Sequence, residues 1–316
     1  GTKSGLSILD ALLPSLNQAI SNQRVTLLTG TSATALLQQP SGAITGVTLD
    51  GPFGRQDVKA SHVVVATGGC AANPRLFEEL HGVPLYAQTA YPTSLGSGLL
   101  LGMSAGAAIV GAEKYACLPG LIPDAYRYPC QMFAYAPLNP AARSPWEIVV
   151  NARGERFVRE DHPSVHQIER GIYRQPGHRH WAIFDADMLE KSDPIIPDWT
   201  RERIANEHQS NPMFHSAMTV NELAFRAGLN PATLAATAND YNQSIAVGGT
   251  DVYGRVFRPS PLAKPPFYSI AMQGWTLVSF AGLSIDGSLR VLDREARPIQ
   301  NLYAIGEVIG AGATSG

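Results

Sequence analysis

Val63-Val64-Val65-Ala66-Thr67-Gly68-Gly69 is the stretch that decides the fold. Four consecutive apolar residues predict a short strand buried on both faces, as the strands of a parallel sheet are. The glycines that follow carry no Cβ to hold a ligand away, so the strand's carboxyl end admits close approach to the backbone. Alone, the pattern fits an ordinary tight turn equally well.

A counterpart lies near the other end of the chain. Asn301-Leu302-Tyr303-Ala304-Ile305-Gly306-Glu307 reads as a second strand running into a glycine and then a carboxylate. A carboxylate there accepts hydrogen bonds from the hydroxyls of a ribose or ribityl chain. Gly310, Gly312 and Gly316 follow, and their amides could cradle a pyrophosphate or form a glycine-rich terminus without a ligand. Gly96-Ser97-Gly98 opens an apolar helix running to about Ala108.

Working outward, Leu6, Leu9, Leu13, Leu16 and Ile20 recur at helical spacing, with Pro14 as an interior break. Residues 25–28, 32–37 and 44–49 read as strands, the last two joined by a turn at Pro40-Ser41-Gly42. Residues 119–215 are rich in proline, histidine, arginine and aromatics. They hold a hairpin, with arms at 147–151 and 155–158 and Ala152-Arg153-Gly154 between them, and a strand at 181–185. Thr219-Val220-Asn221-Glu222 is a capping box for a helix that ends at Gly228. Asn230-Pro231 starts another, which stops at Gly248-Gly249. Residues 289–292 and 302–305 are the last strands.

Composition limits the classes open to the chain. Its 316 residues suffice for two domains, and 45% hydrophobic with 16% charged residues describes a globular protein with much buried surface. A net charge of −2 gives no reason to expect nucleic acid. No apolar run reaches membrane-spanning length. Cys70, Cys117 and Cys130 are odd in number and widely spaced. They fit buried thiols better than a zinc site or a disulfide framework, so no metal is expected.

In order, these pieces are a β-meander, VVVATGG, the GSG helix, NARGERFV, ANDYNQSIAVGG and LYAIGEV. Together they resemble the flavoprotein family of fumarate reductases, flavocytochromes c, urocanate reductases and 3-ketosteroid dehydrogenases. The resemblance covers nearly the whole chain and is patchy over 119–215. It implies an α/β plus α+β architecture, with a partial glutathione-reductase-type FAD-binding domain at 1–117 and 276–316. An inserted α+β capping domain would occupy 118–275. It further implies FAD as cofactor, with Ser32 and Ala33 near the adenine. Ala66, Thr67, Gly68 and Gly69 would lie near the pyrophosphate, Gly96 and Gly98 near the isoalloxazine, and Gly306 and Glu307 at the ribityl chain.

The sequence also departs from the family. The family's GxGxxG turn and its C-terminal flavin-binding end have no counterpart here, so the chain reads as a fragment of that domain. Positions where fumarate reductases carry a proton-donating arginine and substrate-binding histidines hold Ser164, Leu277, Val278 and the segment Cys117-Leu118-Pro119. A dicarboxylate needs several cationic or donor groups converging on it. Their replacement points to a larger, weakly charged substrate, steroid-like or an aliphatic ketone.

Candidate acid/base residues are His162, His166 and Arg159, with Arg170, Arg174 and Tyr268 behind them. The expected chemistry is hydride exchange with flavin N5 at a carbon–carbon bond next to a carbonyl or carboxyl, with an electron acceptor or donor of unspecified identity. The competing expectations are a flavin-free, inactive binding module and, more weakly, a nicotinamide-dependent dehydrogenase, for which no fingerprint is present. A cytoplasmic location goes with the thiols and with an N-terminal stretch that does not read as a signal peptide.

Overall fold

The computed structural model describes residues 4–115 and 117–310. Helix α1 (Ser4–Ser21) leads into a meander of β1 (Ser32–Gln38), β2 (Ile44–Gly51) and β3 (Gly54–Lys59). Then come β4 (Val63–Val65), α2 (Pro74–His81), α3 (Ser97–Ser104) and β5 (Ile109–Val110). The middle of the chain supplies β6 (Leu118–Pro123), β7 (Met132–Tyr135), β8 (Ile148–Val150), α4 (Val165–Tyr173), β9 (Arg179–Asp185), α5 (Ala186–Lys191), α6 (Arg201–Ser210), β10 (Phe214–Ala217), α7 (Val220–Arg226), α8 (Pro231–Ala246) and β11 (Phe267–Trp275). The chain closes with β12 (Gly282–Leu283), β13 (Arg290–Leu292), β14 (Pro298–Ala304) and a 3-10 turn, Gly306–Ile309.

Sheet order separates these elements into two bodies. Strands β1-β2-β3 and β13-β14-β4 form two three-stranded sheets from the two ends of the chain, and β5 pairs β12. The middle of the chain builds its own six-stranded sheet, β7-β6-β11-β9-β8, with β10 also on β11. Each body has its own core. Val65, Phe77, Leu99, Leu283, Leu302 and Val308 pack in the first. Ile148, Trp181, Ile183, Leu234, Tyr241 and Ile270 pack in the second.

Local signals mark α1, α3, α7 and α8, and not α4, α5 or α6. Thr219 accepts the Glu222 N–H and Asn230 the Thr233 N–H, as their sequence contexts require. Helix α2 was missed, although Asn73 accepts the Leu76 N–H and Pro74 occupies the first turn. Strand β3 was also missed: all six of its residues are exposed and its pattern is polar.

Four expectations need correction. Residues 25–28 form no strand, because no described strand lies beside them to complete a ladder, and Val25, Leu27 and Leu28 are exposed. Strand β4 is buried on one face only. Val65 is buried but Val64 is 56% exposed, with nothing among the described residues covering its face. Helix α3 ends at Ser104, not near Ala108. In the 147–158 hairpin only β8 is a strand, and the second arm contributes a single bridge, Val150 to Arg156.

Candidate functional site

The two glycine-ended motifs meet. Strands β4 and β14 pair in parallel, Leu302 with Val63, Tyr303 with Val64 and Ala304 with Val65, so their carboxyl ends lie side by side. The Ile305 N–H extends the ladder to the Val65 carbonyl, at 3.0 Å. Beyond the strand ends, the Gly306–Ile309 turn carries Glu307 across to the Thr67-Gly68-Gly69 loop.

Two of the glycines are there because nothing larger fits. A Cβ on Gly69 would stand 2.1 Å from Ser279 Oγ and 2.4 Å from Glu307 Oε1. One on Gly98 would stand 2.2 Å from Thr67 Oγ1 and 2.5 Å from Val65 Cγ1. Gly96 donates its N–H to the Gly69 carbonyl at 2.9 Å, so the start of α3 rests on the loop. The loop, the α3 terminus and Glu307 thus form one backbone-lined surface at a sheet's carboxyl end, the usual ligand position in open α/β sheets.

The carboxylate suits a polyhydroxylated ligand. Glu307 Oε1 accepts the Ser279 N–H at 3.0 Å. Oε2, on the Gly68 side, has no hydrogen-bond donor among the described residues and remains able to accept a hydroxyl. These residues fit the ribityl and pyrophosphate portions of a flavin dinucleotide. A family model described as an FAD binding domain matches residues 3–315.

The chain belongs to the FAD binding domain family.

Its relatives have related chemistry in their names. The chain is 25% identical to a probable fumarate reductase of Shewanella frigidimarina (strain NCIMB 400), over 98% of this chain and 49% of that protein. It is 28% identical to a 3-oxosteroid 1-dehydrogenase of Mycolicibacterium smegmatis (strain ATCC 700084 / mc(2)155), over 77% of this chain and 49% of that protein. The fold matches the 3-ketosteroid delta1-dehydrogenase of Sterolibacterium denitrificans with a TM-score of 0.73 at 22% identity, over 94% of this chain and 57% of that one. The chain spans about half the length of the curated relatives it matches. FAD is the cofactor of this family, and the architecture is its flavoenzyme fold.

The remaining residues singled out from sequence are scattered. Ser32 and Ala33 are exposed at the start of β1, away from the loop in sequence and on a different sheet from β4. Gly312 and Gly316 lie outside the described residues. Arg159 donates to Asp161 at 2.7 Å. His162 Nδ1 lies 3.0 Å from the Ser164 backbone nitrogen and 3.2 Å from the Ser164 carbonyl oxygen. His166 is exposed on α4 and pairs with Glu169 at 2.7 Å. Tyr268 stands on β11 between Phe184 and Ser216, its ring 4.7 Å from that of His208. The structure does not bring these four together, and among the described residues none hydrogen-bonds Gly68, Gly69 or Glu307.

An aromatic seam that the sequence did not suggest lies where the two bodies meet. Tyr115 packs on Phe77 and His81 from one side and on Tyr173 and His178 from the other. Tyr86 closes the seam against His178, ring centres 4.9 Å apart. Burial pushes the Tyr115 phenol up and the His178 imidazole down to about 4, so both are neutral at pH 7. No local pattern marks this group, because its members come from five separate segments.

Proposed function

We propose that the protein is an FAD-dependent oxidoreductase that introduces or reduces a carbon–carbon double bond next to a carbonyl or carboxyl, by hydride exchange with the flavin. The observation that carries this reading is the convergence of Gly68–Gly69 and Glu307 at the carboxyl ends of two paired parallel strands. The named activities of the relatives support it. Residues 1–117 and 276–316 would hold the cofactor, and 118–275 would cap it. Thr67, Gly68 and Gly69 would take the pyrophosphate, Gly96 and Gly98 the ring system, Ser32 and Ala33 the adenine end, and Glu307 the ribityl hydroxyls. The flavin supplies the hydride chemistry; the protein supplies position and a group for the accompanying proton. Arg159, His162, His166 and Tyr268 are the candidates for that proton.

The substrate in this reading is weakly charged, steroid-like or another ketone. Two buried arginines of the inserted body are already neutralised, while Arg179 on β9 has no carboxylate partner among the described residues and stacks on Tyr126 and Trp181. Arg156 is paired with Glu160 and Asp251, and Arg143 with Glu147. Ser164, Leu277, Val278 and Cys117 supply no cation in their place. No helix among the described residues is long and apolar enough to cross a membrane. Three buried free thiols accord with a reducing, cytoplasmic setting.

The test is a visible absorption spectrum of the purified protein, then dye-coupled turnover of a 3-oxosteroid and of fumarate. Flavin bands with steroid turnover are expected. Rapid fumarate turnover would overturn the substrate assignment, and bands that never form after FAD addition would overturn the cofactor site.

A further inference from the structure

Ser279 lies in the segment that returns from the inserted sheet to the first body. One end of this segment is pinned at Thr276, whose N–H donates to the Ala87 carbonyl at 2.9 Å and whose carbonyl accepts the Thr89 N–H at 3.1 Å. The other end is pinned by β12, where Gly282 and Leu283 pair with Val110 and Ile109. Between these fixed points Ser279 is fully buried. It makes two hydrogen bonds to parts of the chain that are remote in sequence. Its hydroxyl accepts the Cys70 N–H at 2.9 Å, and its own N–H donates to Glu307 Oε1 at 3.0 Å.

We propose that Ser279 is the positioning residue of Glu307: it ties the carboxylate to the Gly69-Cys70 loop and so sets which oxygen faces the cofactor. This rests on reading Glu307 as the cofactor's carboxylate. Carboxylates accept through either oxygen and rotate freely unless one oxygen is fixed. Here the Ser279 N–H engages Oε1, leaving Oε2 on the Gly68 side for a ligand hydroxyl. The N–H can do this only while its own residue is held in place, and the Cys70 N–H bound to the hydroxyl provides that hold. Gly69 completes the arrangement. Ser279 Oγ and Glu307 Oε1 both stand within 2.4 Å of where its Cβ would be, so the absence of a side chain lets them meet.

The experiment uses Ser279→Ala and Ser279→Thr, with Glu307→Gln made in each background and in the parent. The first readout needs no cofactor: the amide proton shift of residue 279 and the exchange rate of the Cys70 amide, by NMR. In the parent and in Ser279→Thr, Glu307→Gln should move the residue-279 amide upfield, since its acceptor loses a charge. In Ser279→Ala that response should vanish and the Cys70 amide should exchange at least about tenfold faster, the scale of one lost hydrogen bond. The second readout is FAD affinity by flavin fluorescence. It should fall about tenfold in Ser279→Ala and recover in Ser279→Thr, with melting temperature as the control for general damage. A residue-279 amide in Ser279→Ala that still answers Glu307→Gln as in the parent overturns the proposal. A parent that takes up no FAD overturns the cofactor reading alone, and the amide readout still decides the role of Ser279.

Discussion

Arg156 Nη1 lies 2.6 Å from Asp251 Oδ2, although 95 residues separate them in sequence. The same guanidinium donates to both oxygens of Glu160, at 2.8 and 2.6 Å. The rings of Tyr241 and Tyr253 lie 5.5 and 5.2 Å from it. The Arg156 and Asp251 side chains are 5% and 1% exposed, so neither charge has water to fall back on.

Breaking that pair should therefore be costly. Arg156→Ala takes the cation from buried Asp251, leaves Glu160 only Arg255 at 3.5 Å, and should lower unfolding free energy by about 3–5 kcal/mol in urea titrations. Replacing all three members, as in Arg156→Met with Glu160→Gln and Asp251→Asn, should recover part of the loss, because no carboxylate is then left unpaired, although Arg255 loses Glu160, 3.5 Å away. A loss under about 1 kcal/mol for the single variant would mean that the pair is screened by water and is not a structural tie.

Gly98→Ala probes the packing of α3 on the loop. The added methyl meets Thr67 Oγ1 and Val65 Cγ1 far inside contact distance, so a cost of about 1–3 kcal/mol is expected, with weaker flavin retention. Adding Thr67→Ala should return part of it. Calorimetric melting of the two variants separates local overpacking from a general defect.

Acid should destabilise the protein over a defined range. Burial depresses His178 and His180 to about 4 and His208 to about 3. Each imidazole is therefore harder to protonate when folded than when unfolded. Below about pH 6.5 the unfolded chain takes up protons that the folded chain refuses, and stability falls as pH drops towards 4. Above pH 6.5 all three are neutral in both states and contribute no slope. Urea midpoints from pH 7 to 4 should show this decline. His208→Phe, which keeps an aromatic ring among Phe184, Phe214 and Tyr268, should make it shallower.

Helix α1 presents Leu6, Ile8, Leu9, Leu12 and Leu13 at 45–64% exposure. A patch of that kind binds apolar probes. Changing Leu9, Leu12 and Leu13 to Gln should cut ANS fluorescence without lowering the melting temperature. A large drop in melting temperature would show that the face is packed after all.

What the sequence determined was local. Caps at Thr219 and Asn230 and the turn at 40–42 rest on contacts within a few residues, which composition and spacing encode directly, and the apolar runs of the two glycine-ended strands and of 181–185 marked them as strands without naming their partners. The ordered motifs also carried the family, and with it FAD. What tertiary structure decided was every relation between distant residues. It set the parallel register that brings Glu307 to Gly69, the Ser279 link between them, and the seam around His178. It also decided where local reading failed. Residues 25–28 have strand-forming side chains but no partner, and a strand exists only as a pair. Val64 reads as core, yet burial depends on what covers a face, which its own sequence does not specify.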